Sequence, residues 1–248
     1  MPRAAKQRLD LALVERGLAE TREKARALIL AGDVLVAGRT ERRAGATVTP
    51  ETAIEVAAPP RFVSRGGEKL DHALAQFGID VAGRVALDAG ASTGGFTDCL
   101  LQRGAARVYA VDVGYGQLHP KLRDDRRVVV MERTNARDLT SLPEAPSLLT
   151  VDASFISLRK LLPALLPLLA PAADIVPLVK PQFEAERAEV KRGVVRDPQV
   201  HAAVIGRVAW WCVNHGLRVR GVAMSPLLGP AGNREFFLWL RLVDDGQD

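Results

Sequence analysis

Two sets of residues in this chain have types and spacing that could do chemistry. The first runs from Asp88 through Gly90, Ala91, Ser92, Thr93, Gly94 and Gly95 to Phe96. It is an acid and a glycine-rich turn set between an apolar run and a helical segment, the corner at which doubly wound sheets cradle nucleotides. A dinucleotide-binding turn would read Gly-x-Gly-x-x-Gly. Here Ala91, Ser92 and Thr93 separate Gly90 from Gly94 and Gly95, a spacing that disfavours a nicotinamide cofactor and suits S-adenosylmethionine. A carboxylate at Asp88 is electrostatically compatible with the sulfonium and ammonium of that ligand. Asp112, with Val113 beside it, ends the next strand. An acid there accepts hydrogen bonds from ribose hydroxyls in both cofactor classes, so it does not discriminate between them. Asn135, Ala136 and Arg137 follow the third strand, where an adenine ring would lie.

The second set is Lys69, Asp152, Lys180 and Glu235. Asp152 ends the apolar run Leu148 to Val151, Lys180 ends the run Ile175 to Val179, Glu235 opens the last strand, and Lys69 lies on a helix before the first. Ligands of open α/β sheets bind beyond the carboxyl ends of the strands, so these groups fall at or near one edge. Lone lysines are ordinarily solvated; one that ends a wholly apolar strand has a buried stem and an amine aimed at the ligand edge. An alcohol is a poor nucleophile until its proton leaves. A free lysine, with a pKa of about 10.4, is protonated at neutral pH. Burial and a second ammonium lower that value in general and let a lysine act as a base. Two lysines with two carboxylates to orient them are therefore equipment for methyl transfer to a hydroxyl, with in-line positioning supplying much of the rate.

The elements needed to position these groups are visible in the pattern. Strands are expected at 84–88, 107–112, 127–131, 148–152, 174–179, 218–223 and 235–242, and helices at 68–77, 94–103, 117–123, 158–169 and 198–215. This alternation predicts an α/β fold, a Rossmann-like, mostly parallel seven-stranded sheet with helices on both faces. Residues 1–58 read differently, as a small α+β domain. Leu9, Leu11, Leu13, Val14 and Leu18 mark a first helix closed at Gly17, and Thr21 caps a second that Gly32 stops. Asp33 to Ala37 then reads as a strand. Pro59-Pro60 opens a stiff linker over 59–67, leaving 68–248 as the larger domain.

The chain has 248 residues, 48% apolar and 25% charged, with a net charge of +5. That balance permits an acidic partner such as RNA without requiring one. Cys99 and Cys212 are too few and too far apart for a disulfide framework or a zinc site, and fit a reducing cytoplasm. No His/Cys/Asp cluster is spaced for a metal. No signal peptide is visible, and the apolar region Leu161 to Val179 is broken by four prolines, so no membrane association is expected.

Two resemblances add to this reading. Arg8-Leu-Asp, Thr21-Arg-Glu-Lys-Ala, Leu28-Ile and Gly32-Asp-Val-Leu-Val resemble the small RNA-binding domain first described in ribosomal protein S-four, although Ala37-Gly38 stands where that family usually has Asn. The resemblance implies RNA contact by Arg8, Arg22, Lys24 and Arg26, and the linker adds Arg61 and Arg65. Ser64 to Leu70, Asp88 to Phe96, Ala110 to Gln117, Glu132 to Arg137, Asp152 to Ser157, Val179 to Phe183, Gly193 to Pro198 and Ser225 to Phe236 together resemble the TlyA family of ribosomal RNA 2′-O-methyltransferases, relatives of the FtsJ-like enzymes. That resemblance implies a Lys69-Asp152-Lys180-Glu235 tetrad, S-adenosylmethionine as methyl donor, and a cytidine ribose in rRNA of assembled subunits as acceptor. The short ends lean the expectation toward the large subunit. The family also carries a haemolysin name, which would make this a membrane-active protein; the alternative of an RNA-binding module with an inactive methyltransferase domain is disfavoured by the intact loop and tetrad.

Overall fold

A computed structural model describes residues 6–57 and 60–242. Pro59, half of the expected boundary, lies outside them. The chain divides into two units, residues 1–60 and 61–248.

In the first unit, helices Leu9–Glu15 and Arg22–Ala31 bury Leu9, Leu13, Ala25 and Ile29 against Val34 and Val48. Thr21 Oγ1 accepts from Lys24 N at 3.2 Å, and Gly32, at φ +88°, closes the second helix. Strand Val34–Val36 lies between Arg39–Thr40 and Ile54–Val56, and Gln7–Arg8 pairs with Thr47–Val48. The Ala37-Gly38 turn joining the first two strands has φ of +50° and +76°. This is the two-residue hairpin geometry that favours Asn-Gly, so alanine is strained there.

The second unit opens with α1 (Arg65–Phe77), three residues earlier than the sequence pattern indicated, so 65–67 form its first turn. There follow β1 (Val85–Ala89), α2 (Gly95–Gln102), β2 (Arg107–Val111), α3 (Pro120–Arg123) and β3 (Val128–Met131). After β4 (Leu148–Val151) come α4 (Leu158–Leu165), β5 (Asp174–Val179), α5 (Pro181–Glu184), α6 (Pro198–Val213), β6 (Leu217–Met224) and β7 (Phe236–Leu242). The helix expected at 117–123 starts only at Pro120, because proline is pre-organised for a first turn. The one expected at 158–169 passes into a 3₁₀ turn at Leu166–Leu168, where Pro167 cannot extend the α ladder.

Among the described residues these seven strands make one sheet in the order β6-β7-β5-β4-β1-β2-β3. All run parallel except β7, which pairs antiparallel with β5 and β6. The two faces separate by the period-2 alternation of the strands. Leu87, Tyr109, Leu149, Val151 and Ile175 pack with α4 and α6. Ala86, Val108, Leu148, Val176 and Phe237 pack with α1 and α2. Each fully buried leucine contributes about 1.5–3 kcal/mol, and the two layers hold the strand ends rigidly. Cys99 and Cys212 are core residues, their thiols pushed up to about 12 by burial. No described helix is long and apolar enough to cross a membrane.

Candidate active site

The antiparallel course of β7 brings its first residues to the edge where β1, β4 and β5 end. Val179 pairs with Phe236, so Lys180, one residue past β5, and Glu235, one residue before β7, emerge side by side. Asp152 follows β4, its backbone N–H donating to Ala89 O at 3.0 Å. Lys69 reaches the same edge from the buried face of α1. Lys69 Nζ lies 2.6 Å from Glu235 Oε2, and Lys180 Nζ lies 2.7 Å from Asp152 Oδ1. Lys180 also donates to Ser154 Oγ at 2.9 Å. Both lysines and Glu235 are buried, and each ammonium is matched by a carboxylate, which such burial demands. All four line one cavity of about 260 Å³ together with Ser64, Arg65, Gly66, Gly90 to Thr93, Gly95 and Phe96.

The glycine-rich turn is fixed by backbone contact. Gly90 has φ +90°, and a Cβ there would sit 2.7 Å from the Asp152 carbonyl oxygen, so only glycine lets β1 and β4 close this tightly. Gly94, at φ +96°, caps α2 and packs against Leu118 and Leu122 rather than facing the cavity. Asp112 holds the turn from the side: its Oδ2 accepts from Ser92 N at 2.8 Å and its Oδ1 from Gly114 N at 2.7 Å. A second cavity of about 380 Å³ shares Gly90, Ser92 and Asp152 with the first; Asp112, Val113, Asn135, Ala136, Ile156 and Leu161 line it. One anchored carboxylate beside aliphatic walls is a slot for a flat base and vicinal hydroxyls. The adjoining glycine turn leaves room for a polar tail, so these residues fit an adenosyl amino acid.

Asp88 is placed differently from the expectation. It is fully buried and lines neither cavity; Thr97 Oγ1 donates to it at 2.7 Å and Thr150 Oγ1 at 3.2 Å. The strand's pleat turns it inward, tying β1 to α2 and β4. Arg137 also lies outside both linings, its N–H donating to Asn135 Oδ1 at 3.1 Å.

The cations expected to meet RNA divide into engaged and free. Arg8 and Arg22 both bind the buried carboxylate of Asp10, at 2.9 and 3.0 Å, and hold it well below the usual carboxylate range. They are clamps of the first unit as well as surface charges. Lys24 pairs with Glu20. Arg61 pairs with Asp71 at 2.5 Å and lies over the Phe62 ring. Arg26 and Arg65 are exposed and have no ion-pair partner among the described residues. Arg65 stands in the lining of the tetrad cavity.

Sequence reasoning missed Ser64, Gly66, Gln117, Thr134, Ser154 and Phe155 as lining residues. Ser154 and Phe155 sit inside the Asp152-to-Ser157 motif, where an aromatic between two serines just past a strand was the available signal. Phe155 is 90% exposed, packs against Phe183 with the rings tilted and their centroids 5.1 Å apart, and has φ +64°, a strained conformation for a bulky residue.

Residues 62–242 match the FtsJ-like methyltransferase family and residues 7–54 the S4 domain. The chain is 52% identical, over 98% of its length and 92% of the relative's, to the 16S/23S rRNA (cytidine-2′-O)-methyltransferase TlyA of Mycobacterium tuberculosis. It is 42% identical to Hemolysin A of Brachyspira hyodysenteriae, over 92% of this chain and 97% of that one. A solved structure of a hemolysin-named protein from Streptococcus thermophilus superposes with a TM-score of 0.75 at 42% identity, covering 99% of this chain and 92% of its own.

Proposed function

The chain belongs to the FtsJ-like methyltransferase family, and on that premise we propose that it transfers a methyl group from S-adenosylmethionine to the 2′-hydroxyl of a cytidine in ribosomal RNA. The observation that carries this reading is the convergence of two lysine–carboxylate pairs with buried lysines, Lys69 with Glu235 and Lys180 with the half-buried Asp152, on one cavity beside the glycine turn. The base and ribose of the donor fit the slot of Asp112, Val113, Asn135 and Ala136, and its amino-acid part fits the turn from Gly90 to Phe96. Bound there, S-adenosylmethionine supplies a methyl carbon whose bond pair to sulfur stays on sulfur when a ribose oxygen takes the carbon.

The chain's residues do the rest. Lys180 accepts the hydroxyl proton, and Asp152 fixes the direction of its amine. Lys69, held by Glu235, places a positive charge where negative charge develops on the oxygen. Arg65 stands at the cavity for a backbone phosphate. Phe155 offers an open aromatic face on which an unpaired base can stack, the usual mode of single-stranded RNA recognition. The S4 domain supplies further phosphate contact, with Arg26 an exposed cation that has no ion-pair partner among the described residues, and binding weakens with salt.

The test uses labelled S-adenosylmethionine with isolated large and small ribosomal subunits, comparing the wild type with Lys180→Ala. The expected result is label on a cytidine 2′-oxygen with the wild type and a loss of at least about a hundredfold with the variant. Equal incorporation by both removes the catalytic assignment, and none by either removes the function. Mapping the label identifies the subunit.

A further inference from the structure

We infer that Ser154 is a positioning residue for the proton transfer, acting through Lys180. The inference rests on the reading of Lys180 as the proton acceptor. An amine nitrogen bonded to its side-chain carbon has three tetrahedral positions left. Around Lys180 Nζ one of these is occupied, by Ser154 Oγ at 2.9 Å, while Asp152 Oδ1 lies 2.7 Å away as an ion-pair partner outside hydrogen-bond geometry. A neutral amine has two N–H groups and one lone pair. With one N–H donated to Ser154 Oγ, the negative charge of the neighbouring Asp152 carboxylate draws the second N–H to its side, and the lone pair takes the remaining position. There it receives the hydroxyl proton: the O–H bond breaks, a third N–H bond forms, and the oxygen keeps the electron pair.

Lys69 differs, since among the described residues Glu235 Oε2 is its sole acceptor. Its one hydrogen bond is made to its own counter-ion, whereas that of Lys180 is made to a neutral hydroxyl, which fixes the amine independently of its charge partner Asp152. The strain of the loop agrees with a constructed role. Phe155 at φ +64° turns the backbone immediately after Ser154, and such costly conformations persist where the surroundings over-determine them. Ser154 lines the second cavity while Lys180 lines the first, and Asp152 lines both, so the serine reaches the amine from the cofactor side. The other charged groups lining the Lys180 cavity are Lys69, Glu235 and Arg65.

The experiment compares the wild type, Ser154→Ala and Ser154→Thr in two arms. In the first, methylation of ribosomal subunits is followed across pH, with S-adenosylmethionine affinity measured by calorimetry. Ser154→Ala lowers kcat by roughly tenfold or more, moves the pH of half-maximal rate, and leaves KM for RNA and Kd for the cofactor within about twofold. Ser154→Thr, which keeps the hydroxyl, restores both rate and profile. In the second arm, which needs no RNA, Lys180 is labelled competitively with acetic anhydride across pH and read by peptide mass. Its reactivity midpoint shifts in Ser154→Ala and not in Ser154→Thr. An unchanged midpoint in Ser154→Ala, or a threonine variant as impaired as the alanine, overturns the inference, as does a loss that lies wholly in cofactor affinity. If the wild type methylates no RNA, the function fails on its own, and the labelling arm still decides the role of Ser154.

Discussion

Lys69 Nζ donates to Glu235 Oε2 at 2.6 Å, while Glu235 Oε1 is buried without a hydrogen-bond partner among the described residues. A buried carboxylate with one oxygen on an ammonium and the other unsatisfied is under tension between stability and use. Removing either partner leaves a buried charge. Lys69→Met or Glu235→Leu alone costs roughly 3 kcal/mol, and the double variant Lys69→Met/Glu235→Leu costs much less. Urea unfolding of the four proteins gives the coupling, and a value below about 0.5 kcal/mol contradicts it. None of the three variants should transfer methyl.

Gly229 presses on the same carboxylate. A Cβ at this position would lie 2.1 Å from Glu235 Oε1, so Gly229→Ala displaces the side chain. The expected outcome is a fall in kcat of roughly tenfold or more with the fold retained. Initial rates and circular dichroism measured together check it; full activity would show that the carboxylate tolerates the shift.

Asp88 sets a pH dependence of stability. Burial, reinforced by the charge of Asp152 and opposed by hydrogen bonds from Thr97 and Thr150, pushes its carboxyl up to about 7. In the unfolded chain the value is about 3.9. Between these values the folded state holds a proton that the unfolded state has lost. The contribution is therefore fully present below about pH 4 and lost as pH rises through about 7. Asp88→Asn removes this slope, so the variant gains on the wild type by about 1.4 kcal/mol per pH unit over that window. Parallel stability curves from pH 4 to 8 would refute it.

Tyr109 carries a fully buried hydroxyl with no hydrogen-bond partner among the described residues. Tyr109→Phe deletes the unsatisfied group and keeps the ring, so stability rises by about 1 kcal/mol. Thermal unfolding reads this directly, and a lower Tm would mean that the hydroxyl is satisfied in solution.

The alternation of strands and helices, the glycine turn and the four tetrad residues were legible because they depend on residue type and local period. Side-chain direction was less so. Asp88 and Asp152 both sit at strand ends, yet one lies within β1 and turns into the core while the other lies just past β4 and faces the cavity. One step along a pleat reverses the face, and a sequence gives strand ends only to within a residue or two. The engagement of Arg22 by Asp10 was hidden for another reason: it needs the packing of two helices, whereas Arg8 reaches Asp10 from two positions away along the chain. Ser154 offered no pattern of its own, since its significance is a distance to Lys180, 26 positions away.

The reversed course of β7 bears on synthesis. Residues 69 and 235 meet only when the last strand has been inserted between β5 and β6. A nascent chain that ends before this strand already holds the glycine turn, Asp152 and Lys180, yet its Lys69 has no counter-charge. The Lys69–Glu235 pair is in this way withheld until β7 has folded into the sheet.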